Sequence, residues 1–227
     1  MTDETAPPFP SLARRALQAF VSPDKLGEAL ARNPVWAGAL LAATLVGALQ
    51  FFLIPEEIWD QMMIEAALEG GGEPPEWIGS FMRYFRIFGA PIGIAVYMFV
   101  KSGLTALIFA FVLGDEGRYR QYLSLVVHSQ LVPLLVGLLL VYPRVITGNV
   151  QLTLNVGSFF FFLPDGYLLK ALTMLDLTQL WAWLIIAQGV HSIDPKRSFK
   201  SAAIVLMGWA ILVAFGLALL PGMPSGG

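Results

Sequence analysis

Two charged side chains fall inside apolar stretches long enough to cross a bilayer. Lys101 lies near the middle of the run 88–113, and Asp176 lies in the run 168–190. A charge at mid-bilayer costs roughly 2.5–3.5 kcal/mol on insertion scales, so each needs a polar partner. Asp176 is the one acidic residue within any long apolar run, which favours a Lys101–Asp176 pair. Such a pair forms an ion, proton or substrate site, or it forms a structural link between helices. The other structural alternative is that Lys101 contacts backbone carbonyls.

Gln179 follows Asp176 by three residues, so on one helix the two side chains share a face and act on one neighbour. If the helix begins only near Leu175, Asp176 is instead an ordinary N-terminal residue near the outer interface, stabilised by the helix dipole. The sequence leaves both interpretations open.

His128 and Gln130 place polar groups in the apolar run 122–141. An imidazole titrates near neutral pH, which suggests proton or metal handling; the alternative is a hydrogen bond between packed helices. The chain has two histidines and no cysteine, so we expect no metal site. The candidate site residues are therefore the intramembrane polar side chains Lys101, His128, Gln130, Asp176 and Gln179.

No nucleotide-binding glycine loop, nucleophile elbow or zinc-protease helix is present in the sequence. We therefore expect no enzymatic activity, no catalytic residue and no cofactor. The 14 Lys and Arg nearly balance the 16 Asp and Glu. A chain without a basic surface is not expected to bind nucleic acid.

The elements that carry these residues are predicted to be membrane helices. The composition is 56% hydrophobic and 13% charged, about half the charged share of soluble domains. Five runs approach the roughly 20 residues that a helix needs to cross the hydrocarbon core. They are 34–53, 88–113, 122–141, 168–190 and 202–220. We predict an all-α polytopic membrane protein, with a five-helix transmembrane bundle at 34–220 and a short tail at 221–227.

The segments outside the five runs are predicted to form interfacial amphipathic helices. Residues 1–33 form a cytoplasmic amphipathic segment, in which Arg14, Arg15 and Gln18 are directed to lipid head groups and water. Residues 56–87 form an outer helical hairpin, with its first helix ended by the glycines 70–72.

Lys and Arg alternate between the connections in a way that predicts the orientation. Nine lie on one side: Arg14, Arg15, Lys25, Arg32, Arg118, Arg120, Lys196, Arg197 and Lys200. The other side carries an acidic stretch at 56–76. Because cytoplasmic segments keep the excess of basic residues, the N-terminus is predicted to be cytoplasmic and the C-terminus outside.

Three stretches resemble one known family. They are 22–34, then 117–126 followed by His128, Ser129 and Pro133, and finally 174–181. Together they resemble the Yip family, five-pass membrane proteins named for interaction with Ypt/Rab GTPases, which has many uncharacterised bacterial members. The resemblance implies a five-helix membrane domain with a cytoplasmic N-terminus. The eukaryotic members act in vesicle trafficking and bind small GTPases.

We therefore expect a non-enzymatic membrane scaffold or adaptor of the Yip type, acting in membrane organisation or trafficking and placed in the bacterial inner membrane. The alternative is a small ion or solute transporter or channel that uses the intramembrane polar residues of spans two to four. The expected partner is the lipid bilayer. Another membrane or cytoplasmic protein, or a second copy of the chain, is left open.

Overall fold

Helices dominate the computed structural model, which describes residues 9–69, 75 and 77–220. The α-helices are α1 Leu12–Val21, α2 Pro23–Arg32, α3 Ala37–Leu53, α4 Glu56–Glu69, α5 Ile78–Tyr84, α6 Ala90–Ala106, α7 Tyr119–Ser129, α8 Leu131–Leu139, α9 Val141–Thr147, α10 Tyr167–Thr173, α11 Leu177–Ile193 and α12 Phe199–Ala218. Extended pairing within the described ranges is limited to an isolated bridge between Asn155 and Asp176. The predicted all-α polytopic architecture is confirmed.

Three helical stretches are long and apolar enough to cross a membrane: Ile78–Val112, Tyr119–Leu139 and Phe199–Ala218. The first joins α5 and α6 through π-helical turns. A fourth span results if α3 and the first part of α4, which bend by 81° at their junction, count as one. Helix α11 has 17 residues. The structure thus supports three or four spans, and five crossings stay a prediction.

The apolar run 168–190 forms two helices rather than one. Helix α10 ends at Thr173 and α11 begins at Leu177. Backbone hydrogen bonds with the segment 154–156 stabilise this break. The Val156 N–H donates to the Leu175 carbonyl at 2.9 Å, and the Leu177 N–H donates to the Leu154 carbonyl at 2.7 Å. Span four as predicted is therefore interrupted at the residues that precede Leu177.

The connections between helices gather at two ends of the bundle. At the first end, the turn before α3 meets the start of α7, where Gln121 donates to the Ala31 carbonyl and Ser124 to the Val35 carbonyl. The connections 113–118 and 194–198 meet at the same end. At the second end, Lys170 Nζ donates to the Leu220 carbonyl at 3.0 Å. The main helices therefore run between these two ends.

Helices α1 and α2 are packed into the bundle. A Cβ atom on Gly27 of α2 would lie 3.1 Å from Gly189 Cα of α11, so the two backbones are in close contact there. The Trp181 indole N–H donates to the Ala19 carbonyl of α1 at 3.0 Å. Trp181 is about 18 Å along the helix axis from the end of α11 at Ile193. Both helices therefore pack along the side of α11.

This packing corrects the orientation predicted for α1. Arg15 is only 8% exposed and faces the bundle beside the buried Ala19, instead of facing head groups and water. The outward residues Leu17 and Val21 are 61% and 66% exposed. The buried face is Leu12, Arg15, Ala16 and Ala19, because the following α2 fixes the rotation of α1 about its axis.

At the second end, α4 lies beside α5. Glu56 at the start of α4 is 3.7 Å from both Arg83 and Arg86 in ion pairs. The second arm of the predicted hairpin does not end at 87, because the helix continues through its π-helical turn into α6. The predicted glycine stop at 70–72, the tail at 221–227 and residues 1–8 lie outside the described residues.

Candidate functional site

Lys101 of α6 is inside the bundle, with 5% of its surface exposed. Its Nζ atom donates to Gln179 Oε1 of α11 at 3.1 Å and lies 3.9 Å from the centre of the Trp183 ring. An ammonium over an indole face is stabilised by the ring's quadrupole. The predicted Lys101–Asp176 pair is absent from the ion pairs of the described residues, and Lys101 instead contacts the Gln179 amide and two aromatic rings, those of Trp183 and Tyr97.

Gln130 joins the same cluster from the junction of α7 and α8. Its side chain is 2% exposed, and its amide exchanges hydrogen bonds with that of Gln179 at 3.3 and 3.4 Å. Gln179 thus bridges Lys101 and Gln130. Hydrogen bonds between helices replace contacts with water inside a membrane. The cluster links α6, α11 and the α7–α8 junction.

Asp176 takes the N-terminal role that the sequence left open. Its Oδ1 atom accepts from the Thr178 N–H at 2.7 Å and from the Gln179 N–H at 3.0 Å. An Asp before the first helical residue satisfies backbone N–H groups that have no partner within the helix. Asp176 therefore sets where α11 begins, and through it the position of Gln179.

Two cavities lie beside Trp183 and α12, and Lys101 of α6 lines the first of them. One has a volume of about 170 Å³ and reaches Leu206, and the other has about 230 Å³ and reaches Leu217. Both are lined by Tyr97, Trp183 and Trp209. We call this pair of cavities the lateral groove. Its lining is mainly apolar and aromatic, with Lys101, Thr105, Asp176 and Gln179 as polar members.

His128 is fully buried but does not contact this cluster through any hydrogen bond in the described part of the chain. Its Nδ1–H donates to the Ser124 carbonyl at 2.8 Å, while Nε2 is buried without a partner. Arg15 Nε and Nη1 and Gln18 Oε1 are likewise buried without a hydrogen-bond partner.

A second polar cluster, missed by the sequence reasoning, joins two connections at the first end. Arg197 donates from Nε to both Asp115 carboxylate oxygens at 3.0 and 3.1 Å, and from Nη2 to Asp115 Oδ1 at 2.7 Å. It also donates to the Leu113 carbonyl at 3.2 Å. We call this group the Arg197 cluster. The hydrogen bonds with Asp115 raise the pKa of Arg197 above its ordinary value.

Asp194 completes the Arg197 cluster. Its carboxylate accepts from the backbone N–H groups of Glu116 at 3.1 Å and Lys196 at 3.0 Å. These two hydrogen bonds hold the pKa of Asp194 below its usual range. Glu116 and Asp194 are 78 positions apart in the sequence, and no local sequence pattern predicts their contact.

Within the described residues, no group of three His, Cys, Asp or Glu side chains is arranged to hold a metal ion. The side chains of Lys101, Gln130, Asp176 and Gln179 form hydrogen bonds with one another and with the backbone. The geometry is that of cross-links between helices.

A family model described as the Yip1 domain matches residues 17–220 of the chain. No curated protein and no solved structure matches the chain. The matched range begins within α1 and extends past the end of α12, so it contains the polar cluster, the lateral groove and the Arg197 cluster.

Proposed function

The chain belongs to the Yip1 domain family, and from that premise we propose that it is a non-enzymatic scaffold or adaptor in the membrane, acting in membrane organisation or trafficking. One observation carries the proposal. The intramembrane polar residues Lys101, Gln130 and Gln179 use their hydrogen bonds to join helices. A transport path needs polar groups that face an open aqueous route, whereas the lateral groove is lined mainly by apolar and aromatic side chains.

Crosslinking and co-purification from native membranes test the adaptor role. We expect a second membrane or cytoplasmic protein to co-purify in stoichiometric amount, because an adaptor acts through a bound partner. The purified protein in liposomes is expected to give no flux of ions or small solutes. Flux that is abolished by Lys101→Met in folded protein would overturn the proposal in favour of transport.

We further propose that the first end faces the cytoplasm of a bacterial inner membrane. The chain has no cysteine, so single cysteines report on position without background. Glu28→Cys at the first end and Gln151→Cys at the second end are exposed positions. In intact spheroplasts, a membrane-impermeant maleimide is expected to label Gln151→Cys alone. Labelling of Glu28→Cys alone would reverse the orientation, and lysed membranes serve as the control in which both react.

A further inference from the structure

Lys101 is a buried cation with no carboxylate partner among the described residues. Its hydrogen bond goes to the neutral amide of Gln179, and the partner predicted from the sequence, Asp176, accepts from the backbone of α11 through its Oδ1 atom. An ammonium has three N–H donors. One bonds to Gln179, and the Trp183 and Tyr97 ring centres lie 3.9 and 5.7 Å from Nζ, so two N–H groups have no oxygen acceptor among the described residues. Charged side chains inside membranes pair with an opposite charge or face a cavity. Lys101 has the cavity but not the opposite charge.

That cavity opens sideways from the bundle. Lys101 lines it together with Val100, Leu104 and Trp209, which are 55%, 45% and 41% exposed. The walls come from α6 and α12, and Trp183 of α11 lies beneath Lys101. In a bilayer, exposed apolar side chains of this kind face lipid tails or another helix. A group that approaches Lys101 therefore comes from within the membrane plane.

The depth of Lys101 decides which anionic group reaches it. Lys101 is about 16 Å along its helix from Val112, half the roughly 30 Å of the hydrocarbon core. Lipid phosphates lie at the membrane interface, so about half the thickness of the hydrocarbon core separates them from Lys101. A side chain on a transmembrane helix reaches this depth directly, because its position along the helix sets its depth.

The apolar helices of a second copy of this chain do not supply the acid. The sequences of α3, α6, α8, α11 and α12 contain no Asp or Glu. Asp176 precedes α11 and Asp194 follows it, so both lie at helix ends. Because these helices offer no carboxylate at the depth of Lys101, we assign the carboxylate to a different protein.

We propose that the lateral groove binds a transmembrane helix of another protein through an Asp or Glu side chain near the middle of that helix, which pairs with Lys101. The proposal rests on the adaptor function proposed above and names the class of partner. The carboxylate accepts the unused ammonium hydrogens of Lys101, and the apolar face of the partner helix packs between α6 and α12. Tyr97, Trp183 and Trp209 supply the aromatic contact surface.

The test uses synthetic single-span peptides with the full-length protein in phosphatidylcholine liposomes. One peptide carries Glu at its centre, a second carries Gln there, and a third carries Glu near one end. Binding is followed by energy transfer from the peptide to a dye on Glu28→Cys. We expect the central-Glu peptide to bind at least tenfold more tightly than the other two. Equal binding of the three peptides would overturn the proposal.

Substitutions of Lys101 test whether its charge, and not the folded state of the protein, determines the preference for Glu. Lys101→Met is expected to remove the preference for Glu, and so is Lys101→Gln, which keeps a donor for Gln179 in case the Met variant fails to fold. Arg15→Met removes another buried cation, which does not line the groove, and is expected to keep the preference. A preference that survives both Lys101 variants would contradict the assignment.

The two proposals fail separately. If the peptides show no preference but a native partner still co-purifies with wild type and with Lys101→Met, the groove assignment is wrong and the adaptor role stands. If no partner co-purifies with wild type, the adaptor role is wrong whatever the peptides do.

Discussion

Arg197→Met is expected to lower the free energy of unfolding by about 2–4 kcal/mol, because it leaves the Asp115 carboxylate buried without its partner. Breaking a fully buried pair costs about 3–5 kcal/mol. The lower estimate reflects the partial exposure of this pair, in which the Arg197 side chain is 20% exposed and that of Asp115 5%. Denaturant titration in mixed micelles measures the change.

Lys196→Met is the matched control, because it lies one residue away in the same connection. Its ion pair with Glu116 is formed by side chains that are 79% and 73% exposed, so solvent screens it. We expect little change in stability from this variant. Combining Arg197→Met with Asp115→Leu is expected to restore part of the loss, since the unpaired carboxylate is gone. Equal effects of Arg197→Met and Lys196→Met would show that the Arg197 cluster does not hold the two connections together.

Gly27→Leu is expected to separate α2 from α11. A Cβ atom there would lie 2.8 Å from Ser192 Oγ and 3.1 Å from Gly189 Cα, and the backbone atom cannot rotate away as a side chain does. Overpacking of this kind costs about 1–3 kcal/mol. We expect tryptic cleavage at the exposed Lys25 to accelerate roughly ten- to hundredfold, because cleavage follows the population in which α2 is detached.

Gly38→Leu provides the comparison for this substitution. Gly38 lies in the first turn of α3, and no atom lies within 4 Å of an added Cβ. Both variants gain helix propensity, so a difference between them reports packing. Mass spectrometry of the fragments gives the cleavage rate at Lys25. Equal rates in the two variants would mean that the α2–α11 contact does not keep α2 in place.

The sequence predicted much of this architecture because long apolar runs and rare intramembrane charges are local signals. Lys101 stood out by its residue type alone, and Gln179 stood out by its spacing from Asp176. The interruption at Asp176 also had a local signal that was left undecided. An Asp followed three residues later by Gln is a typical helix start.

Contacts between distant segments had no such signal. The pairing of Arg197 with Asp115 joins residues 82 positions apart. The inward orientation of Arg15 depends on α2 packing against α11, while the helical pattern of α1 alone favours a helix on the membrane surface. Lys101 was predicted to pair with Asp176, the one acid within the apolar runs. Asp176 instead accepts a hydrogen bond from a backbone N–H group at the start of α11.

The hydrogen bond between Trp181 and Ala19 has a consequence for synthesis. Its two ends are 162 residues apart in the chain. At about 5–20 residues per second, a ribosome needs roughly 10–30 s to make the segment between them. For that time α1 and α2 exist without the helix against which they later pack, so the first part of the protein to be made is among the last to reach its final place.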